Sequence, residues 1–201
     1  MTDPSSARRN AVAVAGFTGQ TEVAEAGVSD PDATVRIAAV RSLARLDQLP
    51  DATLTALLND PEPAVRIASL ELAASRTSPP IVHLLDDPDS MVVEQAAWAC
   101  GERTTEPQQP IARLADLARN HDDPLVREAA VAALGSLGDD AGLEAVLAAT
   151  QDKPAVRRRA VLALAAFDGP DVDEAFARAR DDRDRQVRDA VDELLGPAEI
   201  D

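Results

Sequence analysis

Chemistry in this chain would have to come from a small set of side chains. There are two histidines, His83 and His121, one cysteine, Cys100, and no tyrosine. A transition-metal site wants several converging ligands. The two histidines stand in different stretches and neither is followed by Glu. A single cysteine excludes a disulfide framework and a four-cysteine metal or iron–sulfur site. Cys100 sits beside Trp98 in a helical pattern, where a buried thiol is its expected role. There is no Gly-x-Ser-x-Gly, no phosphate-cradling glycine loop and no paired His. The sequence thus predicts no catalytic, cofactor-binding or metal-binding residues. What recurs instead is aspartate and arginine in a fixed relation.

That relation is clearest in Asp30-Pro31-Asp32-Ala33-Thr34-Val35-Arg36-Ile37-Ala38-Ala39-Val40, which returns as Asp60-Pro61-Glu62-Pro63-Ala64-Val65-Arg66-Ile67-Ala68-Ser69-Leu70. Altered copies centre on Val92, Val126-Arg127, Val156-Arg157 and Val187-Arg188. The valines step by 30, 27, 34, 30 and 31 residues, a period that means stacked repeats. An Asp-Pro pair stops the preceding element, and its Asp is expected to offer a side-chain oxygen to the free N–H groups of the next helix. Val35, Ala38, Ala39, Ser42, Leu43 and Leu46 then fall on one helical face. Ala38, Ala39, Ala68, Ala96, Ala129, Ala130 and Ala160 allow neighbouring helices to approach closely. No single pair can close a core alone, so each must stack on the next.

The elements that position these residues alternate. The spacing predicts a first helix over Ala7–Phe17, then A helices near Thr21–Val28, Ala52–Asn59, Pro80–Leu85, Pro107–Asn120, Ala141–Thr150 and Asp171–Ala179. B helices carrying the Val-Arg motif are predicted near Thr34–Leu46, Ala64–Ser75, Met91–Arg103, Leu125–Leu137, Ala155–Phe167 and Arg185–Leu195. Leu49-Pro50-Asp51, Ser78-Pro79-Pro80, Gly138-Asp139-Asp140 and Asp168-Gly169-Pro170-Asp171 mark turns. The third A helix is squeezed to about two turns between Pro80 and Pro88. Residues 1–6 are expected to fray, 7–195 to form one repeat array, and 196–201 to be a loose tail.

The motif Asp-Pro-x-x-x-Val-Arg-x-Ala-Ala-Val resembles the HEAT-like repeat of the phycobilisome-lyase type, from about Ala7 to Leu195. The resemblance implies an all-α, right-handed α-solenoid of about six helix pairs. It also implies that the Arg after Val reaches an Asp of a neighbouring turn. Arg36, Arg66, Arg127, Arg157 and Arg188 would then form a structural ladder with acids such as Asp30, Asp60 and Asp122. The third unit departs, with Val93 in the Arg position. Di-iron hydroxylases of the wider superfamily carry repeated His-Glu pairs, which this chain lacks. Bilin lyases share the repeat, but little else here supports pigment handling. HEAT-like DNA glycosylases use a basic, aromatic-lined groove, against which this chain offers Phe17, Trp98, Phe167 and Phe176.

Apolar residues make up 45% of the chain and aromatics only 2%, a composition suited to close-packed helices. The net charge is −16, from 36 acids and 20 bases, and the sole lysine is Lys153. An Asp-rich, Lys-poor surface resembles proteins that work in high salt, where close carboxylates are screened. An Arg-biased genome is the other explanation. The charge excess speaks against nucleic-acid and anionic-membrane binding. One exception is 151–190, whose nine bases match its nine acids. Intrahelical pairs such as Asp181–Arg185 and Asp184–Arg188 are expected to neutralise it. No apolar run suits a membrane span. Arg8-Arg9 before Ala11–Phe17 faintly resembles a twin-arginine export signal, but the apolar part is short and fits a first repeat helix. A cytoplasmic location is expected.

Counted from the motif valine, offsets two, six and ten project from the B helices: Ile37-Arg41-Arg45, Ile67-Glu71-Ser75, Glu94-Trp98-Glu102, Glu128-Ala132-Ser136 and Arg158-Leu162-Ala166. In such solenoids this face lines the concave side. Trp98 is either an interface anchor there or a core filler in the irregular third pair. If it is exposed, Glu94, Glu102 and Glu71 form an acidic rim, while Arg41 and Arg45 clasp an acid. The expected function is a non-catalytic scaffold or adaptor binding a protein partner, with no cofactor. The alternative is an enzyme accessory of lyase-chaperone type, or a nucleic-acid repair factor, with its ligand in the groove.

Overall fold

Short apolar stripes separated by helix breakers leave the chain little choice but helices that pair and stack. The computed structural model describes residues 4–103 and 110–196, and over these the protein is all-α, with twelve α-helices and no strand. The chain divides into two compact units, Met1–Ala96 and Ala97–Asp201. The first holds α1 (Pro4–Thr18), α2 (Thr21–Gly27), α3 (Ala33–Arg45), α4 (Asp51–Leu58), α5 (Pro63–Ala73) and the opening half of α6 (Ser90–Glu102). The second holds the rest of α6, then α7 (Ile111–Asn120), α8 (Pro124–Leu137), α9 (Leu143–Ala149), α10 (Pro154–Ala163), α11 (Pro170–Arg180) and α12 (Arg185–Leu195). Each unit is a stack of helix pairs of the α-solenoid kind.

The motif valines are the fixed points of the core. Val35, Val65, Val92, Val126, Val156 and Val187 are all buried to within 1%. Leu43, Leu134 and Leu164, two turns further on, are equally enclosed, and Cys100 holds the corresponding place in α6 as a buried free thiol. Burying one such side chain contributes about 1.5–3 kcal/mol.

Several expectations are corrected. Helix α1 opens at Pro4, so Pro4–Ser6 are helical rather than frayed. The Arg8-Arg9 stretch belongs to this helix, and Arg8 holds the Asp30 carboxylate at 2.8 Å. The third A element is no α-helix but a 3-10 turn over Val82–Asp86, because Pro80 and Pro88 leave no room for a full helical ladder. The element expected at Ala141–Thr150 splits into a 3-10 turn, Asp140–Gly142, and α9. Helix α10 tightens into a 3-10 turn at Leu164–Ala166. The expected start of α7 at Pro107 lies outside the described residues, as does the tail after residue 196.

Helix starts also divide the labour of the Asp-Pro turn differently. Asp30 Oδ1 accepts the Asp32 N–H, and it is the Asp32 side chain that caps α3 through the Thr34 N–H. Asp123, Asp139 and Asp184 cap their helices in the same manner. Where a turn opens with Asp, as at Asp30, Asp60, Asp87, Asp152 and Asp182, that carboxylate accepts a guanidinium.

Candidate functional site

Two surfaces run along the helix pairs, and they do different work. On the turn side, the motif arginines reach across to the next turn. Arg36 Nε and Nη2 donate to Asp60 at 2.8 and 2.7 Å, while Nη1 donates to the carbonyls of Asp30 and Pro31 in its own turn. Arg66 grips Asp87 in the same way, Arg127 grips Asp152 and Arg157 grips Asp182. Each of these Asp side chains also accepts a backbone N–H of its own turn. Two-pronged, charge-assisted bonds of this kind suit the planar guanidinium and no other cation.

The pairs are half-buried or deeper, and their acid–base behaviour reflects it. Arg127 holds the Asp152 carboxyl below the usual carboxylate range despite the cost of burial, and Arg157 does the same for Asp182. At Asp60 burial pushes upward most strongly, yet the bonds from Arg36 and the Glu62 N–H together pull the carboxyl down.

The ladder differs from its expected form in three places. The Asp30 carboxylate serves Arg8, and a motif arginine, Arg36, reaches only its carbonyl. Asp122 offers only its carbonyl, to Arg127 Nη1 at 3.1 Å. Arg188 donates to the Asp182 carbonyl at 2.6 Å and grips no carboxylate among the described residues. Val93, at the Arg position of α6, is buried at 3% exposure. The corresponding turn aspartate of the following repeat is itself replaced: His121 Nδ1 accepts the Asp123 N–H at 3.1 Å in the role Asp30 plays for Asp32.

The B helices turn their other side to solvent. Trp98 is 42% exposed, so it is not a core filler. Met91, 65% exposed, lies two turns before it on the same face of α6, with half-buried Glu94 between them and exposed Glu102 a turn beyond. In the second unit this face continues through Leu125, 54% exposed, and Ala132 on α8 to Leu162 on α10. Glycine lets these helices close up. A Cβ on Gly101 would lie 2.8 Å from the Ala133 Cα, and one on Gly135 would lie 2.6 Å from the Ala163 Cβ.

In the first unit, the same face brings Arg41 to Glu71 at 2.9 Å. Arg41 is thus already occupied. Arg45 instead lies over the Phe17 ring, 4.2 Å from its centroid. Phe17, expected only as one of four scattered aromatics, stands ten residues after Ala7 as Arg45 stands ten after Val35.

In the 151–190 segment five of the nine bases hold a carboxylate, Arg157 among them through Asp182. Arg159 holds Glu128, Arg178 holds Glu174, Arg180 holds Asp192 and Arg185 holds Asp189. The partners differ from those expected, because Asp184 is spent capping α12 and Arg188 turns to a carbonyl. No group of three or more His, Cys, Asp or Glu able to hold a metal occurs among the described residues. No helix among them is long and apolar enough to cross a membrane.

Comparison with known proteins follows the same lines. A sequence model of the family described as HEAT repeats matches residues 50–118 and 111–196. No curated protein matches the chain. Among solved structures, the crystal structure of an engineered protein, a target of the Northeast Structural Genomics Consortium, is 22% identical to it. That similarity covers 94% of this chain and 85% of the other, with a TM-score of 0.45.

Proposed function

The chain belongs to the HEAT-repeat family, and on that premise we propose that it is a non-catalytic scaffold that binds a protein partner along the solvent face of its B helices. The repeat is of the phycobilisome-lyase type, a reading supported by the recurring Asp-Pro-x-x-x-Val-Arg motif. The scaffold works in the cytoplasm at high salt, a setting supported by its aspartate excess and single lysine.

The observation that carries the proposal is the exposure of Trp98 and Met91 on one helix face that also bears Glu94 and Glu102. Large apolar side chains with this exposure, rimmed by charge, mark contact surfaces in soluble proteins. Tryptophan is the residue type most enriched among interface hot spots. The acidic rim favours a partner that presents Arg or Lys to α6. The turn side, by contrast, is taken up by the arginine–aspartate pairs.

The test compares native chain and Trp98→Ala as baits in affinity capture from the native cytoplasm at native salt, read by quantitative mass spectrometry. Removing a central Trp should cost about 2–4 kcal/mol of binding. Partners held by the native chain should therefore fall at least tenfold with the variant, while the melting temperature stays within a few degrees. Equal capture by both baits would overturn the assignment of Trp98.

A further inference from the structure

In the first unit five of the seven arginines are already committed to a carboxylate. Arg8 holds Asp30, Arg36 holds Asp60, Arg41 holds Glu71, Arg66 holds Asp87 and Arg76 holds Asp51. Arg45 holds no carboxylate among the described residues. Its guanidinium carbon instead lies over the ring of Phe17, a residue 75% exposed, more than any other large apolar side chain among the described residues. In a chain of net charge −16, an arginine that finds an aromatic face rather than one of 36 acids stands out.

A cation–π contact spends none of the guanidinium's N–H donors, which stay available in the plane of the group. The ring holds the long side chain in one orientation, so little further rotamer freedom is lost when a ligand binds. A carboxylate approaching in that plane can accept two parallel bonds. The free edge and outer face of Phe17 offer an apolar shelf beside it. Half-buried Ile37 lies on the same helix as Arg45, and Arg9, which forms no ion pair among the described residues, lies on the same helix as Phe17.

We infer that Phe17 and Arg45 form a docking point for a partner segment that places one Glu or Asp carboxylate on Arg45 and an adjacent apolar side chain on Phe17. The charge of the chain narrows the partner further. A polyanion, whether nucleic acid or an acidic run, is repelled at long range by the surrounding carboxylates. A single acid flanked by apolar residues keeps the short-range bonds and avoids most of that repulsion. The inference rests on the reading of the chain as a protein-binding scaffold, but not on Trp98.

The full chain is titrated with the synthetic peptide acetyl-Leu-Glu-Leu-Phe-amide while the Arg45 Nε–H and Phe17 ring signals are followed by NMR. Both should shift saturably. The Gln counterpart of the peptide should bind at least tenfold more weakly, and the Arg45→Gln protein should lose the response while melting like the native chain. Phe17→Ala should weaken it severalfold. The Trp98→Ala protein should respond normally. Unmoved Arg45 and Phe17 signals, equal binding of the Gln peptide, or shifts of the same size with inorganic phosphate would each overturn the site. Loss of the response in Trp98→Ala would do so as well. If the peptide response is intact but the native chain captures no cytoplasmic protein, the scaffold reading falls and the carboxylate site stands.

Discussion

Arginine plays two parts in this molecule, and the surroundings of each side chain decide which. Arg66 and Asp87 keep 10% and 6% of their side-chain surface exposed, whereas Arg41 and Glu71 keep 51% and 43%. Water screens the second pair almost fully, so Arg41→Ala should cost no more than about 0.5 kcal/mol. Arg66→Ala strands the Asp87 carboxylate in a half-enclosed turn and leaves the Asp60 carbonyl without its donor. The expected cost is about 2–4 kcal/mol. Arg66→Lys should fall between the two, because an ammonium cannot span both carboxylate oxygens and the carbonyl at once. Urea denaturation of the three variants checks this. Equal losses for Arg41→Ala and Arg66→Ala would mean that enclosure does not set the value of these pairs.

At the scale of the helix, spacing decides what fits. The glycines Gly16, Gly101 and Gly135 all stand nine residues after their motif position, and the residues they face, Ser42, Ala133 and Ala163, all stand seven after theirs. Gly135→Ala would add a methyl 2.6 Å from the Ala163 Cβ. A better helix former gains up to about 1 kcal/mol, but forcing α8 and α10 apart costs typically 1–3 kcal/mol. The melting temperature of Gly135→Ala should therefore drop by several degrees; a rise would show that the helices separate freely. This seam was open to view in the sequence, since a glycine at a fixed offset is a packing signal, yet the recurring alanines drew the attention. Helix positions were legible because breakers and apolar period agreed, as at Arg185–Leu195. The third A element was not, because a stretch between two prolines can satisfy its backbone as an α-helix or as a 3-10 turn. The aspartate that caps α3 was also hidden. Asp30 and Asp32 are chemically alike, and only the approach of Arg8 in three dimensions decides which one is spent elsewhere. Phe17 was hidden for a related reason, since its significance comes from Arg45 on another helix.

Across the whole molecule, charge is distributed unevenly between partnered and unpartnered groups. Most arginines are matched to a specific acid, so the net −16 resides on carboxylates that face water. Salt at molar concentration shortens the Debye length to about 3 Å and should relieve their mutual repulsion while leaving the enclosed arginine–aspartate pairs largely intact. The melting temperature should climb steeply from dilute buffer to molar salt, and a flat response would remove the high-salt reading. The same pairs bear on how such a chain acquires its length. Within the block from Pro31 to Asp60, Arg36 grips the block's own final residue, and the carbonyl of that residue receives the arginine that follows, Arg66. The block thus carries a hook near its start and an eye at its end. A gene duplication that copies it in place yields a second hook and a second eye already in register. By this arithmetic the array can grow or shrink by one whole block without a compensating mutation. A block ending at His121 keeps only half of the eye: its carbonyl still accepts Arg127 Nη1 at 2.7 Å, but its imidazole gives the turn a nitrogen and a preceding arginine nothing.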